Sequence, residues 1–167
     1  AGYRVRGFDG APSTVEQVFT VVQRSGRWFL SAEDDRDSAE QPWDFGPVRV
    51  VRGDHVLVLG TAGTDALRRF AEQGDRAVTR VSSVWGNRWP ERAVLVVPRT
   101  QAEFGRLLDR PTNGLGQVAA VTTGDLGGPE RPVAAAGAVG NDRIVLNPVA
   151  FNRLAPLGQR VVITHEM

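Results

Sequence analysis

Cysteine and lysine are both absent from this 167-residue sequence. Without cysteine, the chain can form neither a disulfide framework nor a thiolate metal site. All 20 basic residues are therefore arginine, and they nearly balance the 19 acidic residues, which leaves a net charge of +1. This balance gives no indication of a nucleic-acid or other polyanionic partner.

Long apolar runs are absent too. No stretch approaches the ~20 apolar residues of a membrane span, so we predict no membrane-spanning segment. The apolar content of 41%, with seven Phe and four Trp, is sufficient for a packed core. The abundance of Ala, Val and Gly beside Arg favours GC-rich coding, and we expect a GC-rich bacterial source. The chain begins without Met and passes almost directly into strand-like sequence, so we expect it to be a piece of a longer protein.

The first 47 residues divide into two parts. Strand patterns at 3–8, 16–24 and 27–31, joined by turn residues, predict a small three-stranded antiparallel segment within residues 1–32. Residues 33–47 begin with an acidic, polar stretch at 33–40, and this composition predicts that they form a linker. We expect Trp43 and Phe45, near the end of this linker, to dock onto another part of the chain.

Residues 48–167 carry a different pattern. Apolar strands are predicted at 48–51 and 55–59, and a helix at about 65–85. A continuous apolar run at 93–97 predicts a buried central strand. Thr100 to Glu103 has capping-box spacing and predicts a short helix to about 108. Further strands are predicted at 117–122, 133–139 and 143–146, followed by a short helix at 149–154 and a final buried helix. The fold class we predict is α+β, a mixed β-sheet with helices on one face.

The last residues, from Val161 to Met167, contain His165 and Glu166 in the order that opens an H-E-x-x-H motif. That motif places two histidines on one helical face, where both can bind one Zn²⁺, and the glutamate serves as general base. Here the sequence provides only the first half of it, and a polar helix end is the alternative interpretation.

The order of the preceding segments strengthens the zinc interpretation. Residues 94–104 (V-L-V-V-P-R-T-Q-A-E-F), 119–121, 143–148 (R-I-V-L-N-P) and 161–166 follow one another in a series. The series resembles the central strand, second strand, edge strand and H-E-x-x-H helix of gluzincin-type, peptidase MA-like zinc metallopeptidases. The resemblance covers about residues 48–167. The second histidine and the acidic third ligand of the family are missing.

The resemblance implies specific roles. His165 would be a zinc ligand and Glu166 the catalytic base in peptide hydrolysis. The predicted edge strand, made of Arg143, Ile144, Val145 and Leu146, would hold a peptide or protein substrate by strand addition. Residues 48–167 would then be the N-terminal subdomain of a secreted or membrane-anchored, extracytoplasmic enzyme. The intact parent would carry zinc, whereas we expect this chain to hold none and to be inactive, because one imidazole cannot hold catalytic zinc.

Residues 3–31 carry a second, shorter resemblance. The pair V-F-T-V-V-Q-R and R-W-F-L is similar to the C-terminal strands of the nuclear-transport-factor-two-like cone fold. The alternative is a β-hairpin that flanks the following domain.

Other candidates receive simpler interpretations. We interpret His55 as a surface or hydrogen-bonded histidine, Arg52-Gly53-Asp54 as a turn, and the acidic run 34–37 as a solvated linker. Tryptophans 43, 85 and 89 are expected to pack between segments, and the Gly/Pro-rich loop 124–132 lacks the following helix of a nucleotide site. The alternative function is a non-catalytic α+β binding or accessory module.

Overall fold

The computed structural model of the chain describes residues 2–15, 17–32, 38–124 and 141–167. The strands are β1 (Gly2–Tyr3), β2 (Ser13–Thr14), β3 (Thr20–Arg24), β4 (Arg27–Ala32), β5 (Arg49–Arg52), β6 (Val56–Gly60), β7 (Ala93–Val97), β8 (Ala120–Thr123) and β9 (Arg143–Leu146). The helices are α1 (Thr64–Trp85), α2 (Gln101–Leu107), α3 (Pro148–Asn152) and α4 (Pro156–Glu166), with 3₁₀ turns at Pro42–Phe45 and Leu115–Gln117. None of the helices described is both long enough and apolar enough to cross a membrane.

A five-stranded mixed sheet organises the chain after residue 48. Its strand order is β5-β6-β7-β9-β8; β6, β7 and β9 run parallel, and the two outer strands run antiparallel to their neighbours. The α+β class and the mixed sheet are therefore confirmed. The apolar run 93–97 forms the central strand, as its lack of polar residues predicted.

The predicted edge strand is not an edge. Strand β9 pairs with β7 on one side and with β8 on the other, and all four of its residues are buried. The prediction that Arg143, Ile144, Val145 and Leu146 offer a free edge to substrate is therefore wrong. Its partner in the predicted hairpin, 133–139, lies outside the described residues. Among the strands that the structure describes, β8 is the one at this edge of the sheet.

Helices cover both faces of the sheet, but unequally. The sequence predicts helices on one face, and α1 and α4 do share the face that carries Val58, Leu95 and Ile144, but α2 does not. The opposite face carries Val96 and Val145, and the short helix α2 packs there through a second apolar cluster. Alternation of side chains along each strand explains this division, because neighbouring residues of a strand point to opposite faces.

Glycine permits the closest approaches within this domain. A Cβ added at Gly60 would lie 1.9 Å from the carbonyl oxygen of Val97, the residue opposite it in β7. On α1, a Cβ at Gly74 would lie 3.0 Å from a methyl group of Val56. These positions let the helix and the two central strands pack at close range.

The N-terminal residues form two small sheets rather than one of three strands. Strand β1 pairs with β2, and β3 pairs with β4 as a hairpin. Residues 4–8 are not a strand: the amide groups of Phe8 and Asp9 both donate to the carbonyl of Val5 and so close a turn. This turn directs Asp9 into the protein, where its buried side chain meets Arg143. A long-range contact therefore overrides the local strand pattern.

The predicted linker docks onto the domain. The rings of Trp43 and Tyr3 form an edge-to-face pair with centroids 5.2 Å apart, and the guanidinium of Arg106 lies 4.8 Å from the centroid of Phe45. Arg106 also forms an ion pair with Glu40. The hydrogen bond to Glu40 raises the pKa of Arg106, against a smaller opposing effect of burial. The expected docking of Trp43 and Phe45 is confirmed.

Candidate functional site

Helix α4 carries the two candidate catalytic residues. It begins at Pro156, a residue suited to the first helical turn, and its buried Ile163 contributes to the core beside α1. The helix also packs against the edge strand β8. Its last turn therefore lies beside β8, where Glu166 is half-buried and His165 is exposed.

Glu166 contacts the edge strand directly. The hydroxyl of Thr122 in β8 lies 2.7 Å from Oε2 of Glu166 and 2.9 Å from the backbone carbonyl oxygen of the same residue. One hydroxyl hydrogen serves both acceptors, so the contact is shared between them. It holds the carboxylate and provides a hydrogen-bond donor to the backbone carbonyl of Glu166 in the last turn of α4.

A cleft of about 170 Å³ lies next to this contact. The residues that line it come from the N-terminal turn, the segment before β7, the start of β9 and the end of α4; they include Phe8, Trp89, Arg92, Asp142, Glu166 and Met167. The cleft therefore combines an apolar wall with charges of both signs. Chemically, it offers a carboxylate next to a surface on which an apolar side chain can pack.

Arg143 lines the same cleft, but its guanidinium is already bound. Its Nη1 and Nη2 donate to the two carboxylate oxygens of Asp9, each at 2.7 Å, and both side chains are almost completely buried. Arg92 similarly donates to the backbone carbonyl of Gly7 at 2.8 Å. These arginines attach the N-terminal turn to the sheet. Both terminal nitrogens of Arg143 are already bound to Asp9, so its guanidinium cannot bind a substrate carboxylate in the same bidentate way.

His165 is exposed on the last turn of α4 and does not line the cleft. Within the described residues, no group of three or more His, Asp, Glu or Cys side chains comes together in a way that could hold a metal ion. Imidazole and carboxylate are both groups that bind zinc. Two such side chains are too few, however, because a catalytic zinc needs three protein ligands. These residues alone do not make a zinc site.

The other histidine has an ordinary structural environment. Nδ1 of His55 lies 3.2 Å from the backbone carbonyl oxygen of Glu91. The carboxylate of Asp75 on α1 accepts three backbone hydrogen bonds from the turn before β6, from Asp54, His55 and Val56, at 2.8–3.1 Å. The Arg52-Gly53-Asp54 segment is thus a turn whose amide groups are satisfied internally.

Sequence reasoning missed two residues of this region. Asp9 is the only acidic residue within residues 2–15, and a lone carboxylate in an otherwise apolar and basic segment was a signal of pairing. Thr122 alternates with Val121 in a strand pattern, but nothing local indicates that its hydroxyl meets a glutamate 44 positions later. Such pairings depend on which elements pack together.

None of the family models, curated proteins or solved structures with which the chain was compared matches it.

Proposed function

We propose that residues 48–167 are the N-terminal part of a zinc-dependent peptidase, with His165 as one zinc ligand and Glu166 as the general base. The observation that supports this proposal most is the 2.7 Å contact between Thr122 and Glu166. It brings the candidate base to an antiparallel edge strand, next to a cleft that can receive a side chain. A general base next to a strand that can bind an extended peptide is a combination suited to peptide hydrolysis.

The edge strand gives the proposal its substrate geometry. In the part of the chain that the structure describes, β9 is the single strand that pairs with β8, so no strand lies along the outer side of Ala120, Val121 and Thr122 there. An extended peptide that added to this edge would pass the carboxylate of Glu166. This role replaces the one first predicted for residues 143–146.

The chemistry assigned to the chain's own residues is limited. Glu166 would accept a proton from the attacking water and return it to the leaving amine, and the hydroxyl of Thr122 would hold the carboxylate in position. Zinc would supply Lewis-acid chemistry once bound. Because the described residues offer a single imidazole at this place, the proposal requires a second histidine four residues after His165 and an acidic ligand further on.

The experiment uses the parent coding sequence, expressed so that it continues past Met167. We expect one zinc per chain and hydrolysis of an unstructured protein such as casein. Glu166→Gln should keep the zinc and lose roughly 10²–10⁴-fold in rate, the usual range for loss of a general base. His165→Ala should lose the zinc itself. If the parent sequence has no histidine four residues after His165, the proposal is wrong and no assay is needed.

The alternative, a non-catalytic binding module, is favoured by a different feature. The β3–β4 hairpin exposes large apolar side chains, among them Val21, Trp28, Phe29 and Leu30, with Trp28 68% exposed. Exposed apolar side chains grouped in this way are typical of interaction surfaces. If the zinc ligands are absent from the parent sequence, substitution of Trp28 and Leu30 by serine becomes the informative experiment. Loss of partner binding with an unchanged melting temperature would then support the binding module.

A further inference from the structure

Two arginine-lined cavities lie along helix α1, and neither His165 nor Glu166 is among the described residues that line them. The first has a volume of about 670 Å³, and its lining includes Arg49, Arg69 and Arg99. The second has a volume of about 310 Å³, and its lining includes Arg76, Arg80 and Arg160. The arginines come from β5, α1, α4 and the segment after β7, so tertiary packing has gathered them.

A single face of α1 joins the two cavities. Arg69, Gln73, Arg76 and Arg80 follow one another at spacings of four, three and four residues, which places them in one row along the helix. At 1.5 Å per residue, Arg76 lies about 10 Å and Arg80 about 16 Å along the axis from Arg69. The cavities are therefore neighbours on one basic stripe.

In the first cavity, one guanidinium is held in place. Nε and Nη2 of Arg99 donate to the backbone carbonyl of Thr61 at 3.3 and 3.1 Å, which leaves the other N–H groups of Arg99 for a ligand. Asp65 is the one carboxylate among the described lining residues, and it already forms an ion pair with Arg68 at 2.9 Å. The charge that faces a ligand in this cavity is positive.

In the second cavity, the described lining residues include no carboxylate. Among the described residues, Glu72 is the acidic side chain that pairs with one of these arginines; it lies 4.0 Å from Arg76, and both side chains are mostly exposed. The side-chain amide of Gln159 donates to the carbonyls of Phe151 and Leu154 and so contributes to the wall rather than to ligand binding. The three guanidinium groups are the charged groups that a ligand would meet.

We propose that this stripe binds a linear chain of phosphate groups of the inorganic polyphosphate type. Guanidinium groups bind phosphate oxygens with two parallel hydrogen bonds, and the two cavities are spaced so that one flexible chain can enter both. An anionic bilayer is the competing ligand, and vesicle binding in the titration separates the two. Single-stranded nucleic acid fits less well, because no aromatic residue is among those described as lining either cavity, and base stacking needs one.

The test is titration calorimetry of the 167-residue chain with inorganic polyphosphate, at low and at physiological salt. The double variant Arg69→Ala/Arg76→Ala removes one arginine from each cavity. The matched control, Arg88→Ala/Arg153→Ala, removes the same charge from exposed positions outside both cavities. All four side chains are exposed, so the fold should be retained, and circular dichroism checks this.

We expect the first variant to weaken polyphosphate binding by roughly tenfold or more and to reduce its salt dependence, with the control within about twofold of the unmodified chain. Equal losses in the two variants would overturn the proposal, since they would indicate general attraction to positive charge. It would also be overturned if polyphosphate did not bind. Tighter binding of oligothymidine or of phosphatidylglycerol vesicles than of polyphosphate would contradict it as well. Because none of these measurements involves zinc or hydrolysis, the outcome is independent of the peptidase proposal.

Discussion

The carboxylate of Asp9 and the guanidinium of Arg143 form a bidentate ion pair across 134 positions of the sequence, with both N–O distances 2.7 Å and both side chains at most 3% exposed. The pair joins the N-terminal turn to the interior of the five-stranded sheet. It also explains why Arg143 is buried in β9, next to the candidate cleft, without serving as a substrate ligand.

Removing one partner of this pair should destabilise the protein strongly. We expect Asp9→Ala to lower the free energy of unfolding by about 3–5 kcal/mol, because an uncompensated guanidinium would stay buried. Urea denaturation measures the effect. Asp65→Ala, which removes the acidic partner of the exposed Arg68 pair, is the control and should cost roughly 0–1 kcal/mol. A combined Asp9→Leu/Arg143→Met variant should regain much of the loss; equal losses in the single and combined variants would contradict the explanation.

Gly60 should not tolerate a side chain. In Gly60→Ala, the new Cβ would meet the carbonyl oxygen of Val97 at 1.9 Å, so β6 and β7 would have to separate locally. We expect a loss of about 3 kcal/mol or more, in the range of severe overpacking and lost backbone pairing. The control is Gly116→Ala, where the Cβ would lie 3.9 Å from Gln101. A Gly60→Ala protein that melted at the unmodified temperature would show that the strands are less closely paired than described.

Asp75 should matter more than the other acidic residues of α1. Asp75→Ala leaves three backbone amide groups before β6 without their acceptor, and hydrogen bonds to a charged group contribute about 1.5–3 kcal/mol. We expect a loss within that range and faster hydrogen exchange at residues 54–56. Glu72→Ala, on the same helix and exposed, should change stability by less than about 0.5 kcal/mol. Similar effects of the two substitutions would contradict a special role for the turn contact.

Thr122 should affect the local stability of the last turn of α4 more than the global stability of the protein. Thr122→Val keeps a β-branched side chain in β8 but removes the donor to the backbone and side chain of Glu166. We expect a stability change within about 1 kcal/mol and faster amide exchange in the last turn of α4. Thr79→Val, whose hydroxyl bonds only to its own helix at Asp75, is the control. Unchanged exchange at the end of α4 would mean that the contact with Glu166 is too transient to position the carboxylate.

The sequence by itself predicted those elements whose signal is local. The apolar spacing of α1, the apolar run of β7 and the capping residue Thr100 of α2 each depend on neighbours within a few positions, and each prediction agrees with the structure. The helix predicted at about 65–85 begins at Thr64 and ends at Trp85. The class and the central position of residues 93–97 follow from the same local patterns.

Only the tertiary structure decided the position of each strand in the sheet, the turn at residues 5–9 and the grouping of the arginines. These features depend on which distant segments lie next to each other. A strand pattern such as that of 143–146 is compatible with either a buried interior strand or an edge strand, and only the pairing with β7 and β8 determines the outcome. The turn at 5–9 overrides a strand pattern because Asp9 gains a buried partner. The net charge of +1 also conceals the arginine stripe, since a sum over the chain carries no information about where the charges meet.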